Sequence, residues 1–204
     1  MVRTDGKQKM NTLELVQCAV FVALIIIGAF IKIMLPIGPF SVTFSLQFLF
    51  ALMAGLVMGA KRGALIVLVY LIIGLSGIPV FAHGGGPGYL IRPTFGFLIG
   101  FMAAAFVAGL VVEKGKQHSF KRSLIAAVLG EVVYYLCGLV YYYLMFNLLV
   151  SSAGEHIGIK ELISVWCFST FLPDLCLAVF AVLLAERLRT LIISAGDAGK
   201  ERNV

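Results

Sequence analysis

Four ionisable residues lie within or beside the long apolar segments of this chain: Lys32, Arg92, Glu131 and Asp174. A charge at the centre of a bilayer costs about 2.5–3.5 kcal/mol, so such residues usually face a protein interior and mark a path for a ligand or ion. Asp174 follows Pro173, which removes a backbone N–H and frees a carbonyl one turn earlier. Trp166 and Thr170 precede it at intervals of four and share its helix face. This pattern predicts ligand contact at Asp174, with an ion pair made only for packing as the alternative.

A second polar stripe lies in the segment "GEVVYYLCGLVYYYLMFN", at positions i, i+4, i+7 and i+11: Glu131, Tyr135, Gly138 and Tyr142. A tyrosine offers a flat apolar face with a hydroxyl at its tip, which suits a small ring system. We therefore predict that Tyr135 and Tyr142 contact a ligand. Tyr141 and Tyr143 approach the outer boundary and fit an interfacial aromatic belt. No role is assigned to Glu131, because its position fits both coupling to a partner protein and packing between helices.

The stretch "PVFAHGGGPGYLIRPTFGF" connects two long apolar runs. Its glycines, Gly85 among them, allow close approach of the main chain to a ligand. Phe81 and Tyr89 provide stacking surface, and the Arg92 guanidinium can grip a carboxylate with two hydrogen bonds. The stretch therefore predicts a mobile lid with one anion clamp. The alternative is a flexible turn whose Arg92 extends to a lipid headgroup phosphate.

The elements that must position these residues are transmembrane helices. The chain has 204 residues, of which 61% are hydrophobic and 13% charged, whereas soluble domains are about 25% charged. Six spans are predicted near residues 12–35, 43–60, 63–76, 91–113, 122–150 and 161–190, with the third short for a full crossing. We expect an all-α, multi-pass protein of the cell membrane, a single membrane domain over residues 1–204 without a cleavable signal.

The distribution of Lys and Arg predicts the orientation of these spans. With the N-terminus inside, thirteen basic residues fall on the cytoplasmic side, and only Lys32, Arg92 and Lys160 fall near the outer side. This asymmetry follows the positive-inside rule, so both termini are predicted to be cytoplasmic and the Gly-rich loop to face outward. The net charge of +6 fits contact with anionic membrane lipid and is weak support for nucleic acid.

Several kinds of chemistry lack support in the sequence. There is no phosphate-binding GxxxxGK[ST] loop and no HExxH motif, and the histidines, His83, His118 and His156, fall in loops. The four cysteines lie in predicted spans without metal-ligand spacing and behave as small apolar residues. We therefore expect no metal, no cofactor and no catalytic residue. An enzyme is not excluded, but no motif supports one.

The segment "GLSGIPVFAHGGGPGYLIRPTFGFLIGF" resembles the signature of the BioY family, the biotin-binding S components of energy-coupling factor (ECF) transporters. The matching positions form the G-x-x-G-x-P-V-F-A and P-T-x-G-[FY]-x-x-G-F patterns: Gly74, Gly77, Pro79, Val80, Phe81, Ala82, Pro93, Thr94, Gly96, Phe97, Gly100 and Phe101. Upstream, "SLQFLFALMAGLVMG" is similar to the family pattern at Gln47, Ala54, Gly55 and Gly59. Downstream, "FLPDLCLAVFAVLLA" matches at Pro173 and Asp174.

The resemblance implies a biotin site. Asp174 would accept from the ureido N–H groups, while Gln47 or Tyr135 would donate to the ureido carbonyl. Aromatic side chains would cover the thioether ring. Two positions depart from the family pattern and concern the group that binds the biotin carboxylate. Leu177 stands where the family often has Lys, and Arg92 stands where it commonly has Gly. We hypothesise that the cation meeting the biotin carboxylate has moved to Arg92.

The resemblance also implies partners, namely an ECF coupling transmembrane protein and two cytoplasmic ATPases. Ala19 and Ala23 have the small-xxx-small spacing that S components use for docking, although the same spacing serves ordinary helix packing. The sequence thus predicts an outward-facing subunit that captures biotin and makes or breaks no covalent bond. The alternatives are an S component for another small carboxylate-bearing vitamin and a small membrane enzyme acting on a lipid-soluble substrate.

Overall fold

A computed structural model describes residues 11–37, 40–115, 119–150 and 158–201. Six α-helices and one β-hairpin account for most of this part of the chain. In chain order they are α1 (Thr12–Phe30), β1 (Lys32–Ile37), β2 (Phe40–Ser45), α2 (Gln47–Met58), α3 (Ala60–Leu75), α4 (Phe95–Glu113), α5 (Phe120–Met145) and α6 (Ile159–Glu201). Short turns of 3-10 and π type cover Pro87–Ile91 and Phe146–Val150.

The centre of the bundle is α2, which packs against α1, α3, α4 and α6. Nearly all of its side chains are buried, including Phe48 and Leu52. Small residues let the neighbouring backbones approach: a Cβ atom added to Gly55 would lie 2.2 Å from the Ala105 carbonyl oxygen on α4. Such close packing of small residues is how helices associate where lipid offers no hydrophobic driving force.

The outer surface of the bundle is apolar. Large side chains on α1, α3, α5 and α6 are exposed, among them Phe30, Ile72, Leu136 and Leu172. In the described residues, three helical segments are long and apolar enough to cross a membrane: Thr12–Phe30, Phe95–Glu113 and Phe120–Leu149. The bent helix α6 adds a fourth if counted as one span, and α2 is a shorter apolar helix of 12 residues.

The largest difference from the sequence-based spans lies between α1 and α2. The first span was predicted to run to residue 35, but α1 ends at Phe30 and the chain turns into an antiparallel hairpin that pairs Lys32 with Ser45. Pro36 within β1 cannot donate a helical hydrogen bond, which disfavours continuing the helix. The hairpin shortens both spans and brings polar strand residues such as Thr43 and Ser45 to one end of the bundle, here called the hairpin end.

Helix α6 bends by 46° between Ile159–Trp166 and Ser169–Thr190. Pro173 explains the position of the bend, since it cannot donate to the carbonyl four residues earlier, that of Ser169. Two hydroxyls satisfy backbone oxygens just before this point: Ser169 donates to the Val165 carbonyl at 2.6 Å and Thr170 to the Trp166 carbonyl at 2.9 Å. The bend therefore lies between one and two helical turns before Asp174, whose side chain is buried in the bundle.

At the opposite end, polar contacts tie the α2–α3 corner to its neighbours. Glu113 at the end of α4 accepts from the Ala60 N–H at 2.9 Å, which caps the start of α3. The Arg189 guanidinium donates to the Leu56 carbonyl near the end of α2. Glu14 and Arg62 form an ion pair of 2.7 Å between α1 and α3. We call this the corner end of the bundle.

The contact between α2 and α4 generates a stability prediction. Gly55→Ala adds a methyl group against the Ala105 backbone and should destabilise the fold by about 1–3 kcal/mol. The change would appear as a lower unfolding temperature in detergent. Gly88→Ala is the matched control, because a Cβ there meets nothing within 4 Å. Equal unfolding temperatures for the two variants would contradict this account of the interface.

Candidate ligand-binding site

One cavity at the hairpin end gathers polar and aromatic side chains from one strand of the hairpin, four helices and the loop after α3. The free space between its lining atoms, counted together with the open mouth, is about 550 Å³. The β2 strand, the loop after α3 and helices α2, α4, α5 and α6 all contribute to its walls. The lining residues are Thr43, Phe44, Ser45, Gln47, Phe48, Ala82, His83, Tyr89, Thr94, Phe97, Leu98, Phe101, Tyr134, Trp166, Thr170 and Asp174.

The wall contributed by α6 carries a buried carboxyl group. Asp174 is only 3% exposed, and its Oδ2 accepts a hydrogen bond of 2.7 Å from the Tyr135 hydroxyl on α5. The same hydroxyl lies 2.8 Å from Thr170 Oγ1, one turn before Asp174. A hydrogen bond to a charged group stabilises a buried site more than one between neutral groups. Tyr135 thus holds the carboxyl in place and leaves it capacity for further donors.

Aromatic rings cover the sides of the cavity. Phe97 stacks on Trp166 with ring centroids 4.4 Å apart, and Phe48 stacks on Tyr134 at 4.8 Å. Phe101 lies parallel to Tyr134 at 5.2 Å. Trp166 is buried, and its Nε1 finds no hydrogen-bond partner among the described residues. The cavity therefore combines flat apolar walls with an indole N–H that is available to a ligand.

A chain of hydrogen bonds links the hairpin to the Gly-rich loop through the cavity floor. Ser45 donates to Gln47 Oε1 at 3.1 Å, Gln47 Nε2 donates to the Tyr70 hydroxyl, and Tyr70 donates to the Val80 carbonyl at 3.3 Å. Gln47 is 2% exposed and Tyr70 is fully buried. These contacts use one amide hydrogen of Gln47 and leave the second for a ligand acceptor.

The mouth of the cavity lies between β2 and the loop. Thr43 Oγ1 is 2.8 Å from His83 Nε2, and the Lys32 amino group donates to the Ala82 carbonyl. Burial, together with the positive charges of Lys32 and Arg92, lowers the pKa of the His83 imidazole. His83 is therefore neutral at pH 7, with one ring nitrogen engaged by Thr43 and the other free to donate or accept according to the tautomer.

Glycines hold this loop against the end of α3. The Gly86 N–H donates to the Gly74 carbonyl at 2.8 Å, and Gly86 has a φ of 101°, which favours glycine. A Cβ on Gly85 would lie 2.2 Å from the Ile78 carbonyl oxygen. Phe81 packs on Tyr89 at 4.6 Å inside the loop. The glycines thus serve close backbone packing in this structure, in addition to the ligand approach predicted from sequence.

The structure brings together half of the predicted site residues in the cavity wall: Gln47, Tyr89, Thr94, Trp166 and Asp174. Three others lie one contact away, Tyr135 on Asp174, Phe81 on Tyr89, and Tyr142 against Trp166 at 5.4 Å. Arg92 and Gly85 are exposed and do not line the cavity. The Arg92 guanidinium instead lies 5.1 Å from the centroid of the Tyr89 ring.

Sequence reasoning missed three parts of the cavity wall: the hairpin residues Thr43 and Ser45, the loop residue His83, and Tyr134 on α5. The hairpin lay within or between predicted spans, so Thr43 and Ser45 carried no signal of a pocket. His83 stood inside the quoted loop but was grouped with the loop histidines only to exclude zinc. Of those, His118 and His156 lie outside the described residues. Across the described residues, no group of three or more His, Cys, Asp or Glu side chains could hold a metal ion.

A helical bundle with exposed apolar faces and a polar-aromatic cavity that opens at one end defines a membrane-embedded protein of the small-molecule-binding class. The family model described as "BioY family" matches residues 5–194. The chain therefore belongs to the BioY family, as the sequence resemblance predicted, and it is a multi-pass protein of the cell membrane. The family consists of transporter S components and not of enzymes.

Individual relatives agree with this assignment. The chain is similar to the probable biotin transporter BioY of Lysinibacillus sphaericus, with 38% identity over 190 residues and 92% of each chain covered. It is also similar to the biotin transporter BioY of Thermotoga maritima, with 37% identity, covering 87% of this chain and 96% of that protein. A crystal structure of the S component for biotin from an ECF-type ABC transporter superimposes with a TM-score of 0.76 at 27% identity, covering 92% of this chain and 95% of the other.

Proposed function

We propose that this chain is the biotin-binding S component of an ECF-type transporter, which captures biotin outside the cell and releases it inward when coupled to an ATP-driven module. The observation that carries the proposal is Asp174, a buried carboxyl held by Tyr135 in the wall of an aromatic cavity. The ureido ring of biotin offers two N–H donors, which need an acceptor of this kind. Family membership supports the same substrate.

The remaining polar groups of the cavity suit the rest of the ligand. Gln47 and the Trp166 indole each offer an N–H for the ureido carbonyl, while the rings of Phe97 and Tyr134 cover the apolar thioether ring. The valerate chain would then extend toward the loop, where His83, Lys32 and Arg92 supply donors and positive charge. The carboxyl group of the protein and that of the ligand are thereby kept apart. Leu177 is half-buried, and it does not line the cavity.

The proposed topology has six spans, cytoplasmic termini and an outward Gly-rich loop acting as a lid. The separation of the two bundle ends supports this orientation. Basic residues of the corner end include Arg62, Arg187 and Arg189, whereas the hairpin end carries the cavity mouth. The positive-inside rule assigns the corner end to the cytoplasm. The terminal residues themselves lie outside the described part of the chain.

Coupling to a transmembrane partner is proposed through α1. Ala19 and Ala23 are both exposed, on a face flanked by the exposed apolar side chains of Val16, Val20 and Ile27. This exposure favours docking over packing within the bundle, the alternative that the sequence left open. Small residues at this spacing let a second helix approach closely. The partner proposed is the ECF coupling protein, which carries two cytoplasmic ATPases.

Asp174→Asn should weaken biotin binding roughly 10- to 100-fold, since hydrogen bonds to a charged group contribute about 1.5–3 kcal/mol. The measurement is calorimetric titration of the detergent-purified, ligand-free protein, together with an assay of co-purified biotin after denaturation. Glu161→Gln is the control, because that carboxylate is exposed at the start of the same helix. Absence of biotin binding in the unsubstituted protein would refute the proposed function and direct the search to other carboxylate-bearing vitamins.

Arg92→Ala tests the proposed anion clamp. An exposed charge contributes about 0.2–1 kcal/mol, so we expect biotin to bind two- to fivefold more weakly. Binding of biotinamide, which lacks the negative charge, should not change. Lys160→Ala controls for a general loss of positive charge near the outer side. Unchanged biotin affinity in Arg92→Ala would reject the clamp and leave His83 and Lys32 as the carboxylate partners.

Replacing Ala19 and Ala23 together by Leu should abolish uptake while leaving biotin affinity intact, because the added bulk blocks helix approach without reaching the cavity. Uptake of labelled biotin would be measured in cells that also produce an ECF coupling module, and affinity on the purified protein. Val179→Phe adds bulk to an exposed position of α6 and serves as the control. Uptake at the level of the control would exclude this face as the coupling surface.

A further inference from the structure

One hydrogen-bond donor in the wall of the ligand cavity has no partner in the protein. Within the described part of the chain, three buried side-chain nitrogen or oxygen atoms lack a hydrogen bond: Trp166 Nε1 and the two carboxyl oxygens of Glu131. Of these two residues, only Trp166 lines the ligand cavity. An indole N–H can donate but cannot accept, and a buried donor without a partner is destabilising. An acceptor on a bound ligand would remove that cost.

The neighbouring rings fix the direction of the indole. Phe97 stacks on it with ring centroids 4.4 Å apart, and Tyr142 packs against it edge-on at 5.4 Å. The Trp166 side chain is 3% exposed, so close packing leaves it little room to turn toward another acceptor. Its N–H is therefore held in place before a ligand arrives, which lowers the cost of ordering the side chain on binding.

The other candidate donors for the ureido carbonyl, Gln47 and Tyr135, form hydrogen bonds within the protein. Tyr135 has a single hydroxyl proton and donates it to Asp174 Oδ2 at 2.7 Å. Gln47 is held at both ends of its amide, because its oxygen accepts one hydrogen bond and its nitrogen donates another to the Tyr70 hydroxyl. Of the three side chains, only Trp166 makes no side-chain hydrogen bond among the described residues.

Charge distinguishes the places for the two acceptors of biotin. Lys32 and Arg92 supply positive charge at the mouth of the cavity, which suits the carboxylate. Trp166 is a neutral donor on the same face of α6 as Asp174, with Thr170 between them, and all three line the cavity. This face therefore offers a carboxyl acceptor and a neutral donor, which are the partners that the N–H groups and the carbonyl of a cyclic urea require.

We infer that Trp166 is a specificity-determining residue, whose indole N–H donates to the ureido carbonyl of biotin. The inference rests on the proposed function, since it takes biotin as the ligand. It assigns Gln47 to the structure of the cavity floor, in contrast to the donor role that the family resemblance implies. A ring system without an acceptor at this point would leave the N–H buried and unpartnered in the complex. The site would therefore bind such a ligand more weakly than biotin.

The first test observes the indole directly. Trp166 is the single tryptophan of the chain, so its N–H gives one signal in a nitrogen–proton correlation spectrum of the full chain in detergent. Saturating biotin should move the indole proton downfield, because it enters a new hydrogen bond. Iminobiotin should bind without that shift, since its protonated guanidinium group keeps the ring N–H donors but has no carbonyl acceptor. Biotinamide keeps the ureido carbonyl and lacks the carboxylate, and it should give the same shift as biotin.

The second test compares Kd values in Trp166→Phe, which keeps an aromatic ring beside Phe97 and removes the N–H. The Kd of biotin divided by that of iminobiotin should rise roughly 3- to 10-fold, the range expected for one neutral hydrogen bond. Both ligands lose the same ring contacts in this variant, so a loss of packing alone would not change the ratio. Phe180→Leu shortens an exposed aromatic side chain on the same helix and should leave the ratio unchanged.

Three results would overturn the inference. They are an indole signal that does not move when biotin is bound, an unchanged Kd ratio in Trp166→Phe, and a shift with biotin that biotinamide does not produce. The last would assign the N–H to the ligand carboxylate. If Trp166→Phe does not fold, the spectra of the unsubstituted protein decide. Absence of biotin binding would refute the proposed function together with this inference, whereas bound biotin with an unmoved signal refutes the inference alone.

Discussion

The hydrogen bond from Tyr135 to the Asp174 carboxyl is the interaction on which the site depends. A buried acid is costly unless a hydrogen bond offsets the loss of water, and for Asp174 on α6 that bond comes from a neighbouring helix. Tyr135 on α5 donates to Asp174 on α6, and the Thr170 hydroxyl, one turn before Asp174, contacts the hydroxyl of Tyr135. The same hydrogen bond therefore both joins α5 to α6 and builds the polar wall of the cavity.

The backbone of α6 also needs hydrogen-bond partners near its bend. Pro173 interrupts the hydrogen-bond ladder next to the acid, and the hydroxyls of Ser169 and Thr170 fold back onto the carbonyls one turn earlier. These hydroxyls provide donors for the Val165 and Trp166 carbonyls close to the bend. A rigid helix core, set by the contacts of α2 with its neighbours, fixes the other walls around this bend.

The opposite side of the cavity is built from less regular structure. The hairpin and the Gly-rich loop meet through Thr43 and His83, and the Gln47–Tyr70 contact ties both to the helix core. These segments border the mouth of the cavity, where positive charge gathers, while Asp174 supplies the acid from the helical side. Such an arrangement orients a ligand that has N–H donors at one end and a carboxylate at the other.

The sequence by itself determined the membrane environment, the helical class, the family and the importance of Asp174, because these follow from apolar runs, rare intramembrane charges and a long loop motif. Individual pocket residues on one helix face, such as Trp166 with Asp174, also followed from the helical period. Only the tertiary structure decided that residues 32–45 form a hairpin, that His83 meets Thr43, and that Arg92 stacks on Tyr89 outside the cavity. It alone showed that Glu131 is buried with no hydrogen-bond partner among the described residues. The physical reason is that these contacts join residues far apart in the sequence, such as Thr43 and His83, or depend on the direction of a side chain, as for Arg92 on Tyr89. Neither periodicity nor composition encodes which helices become neighbours.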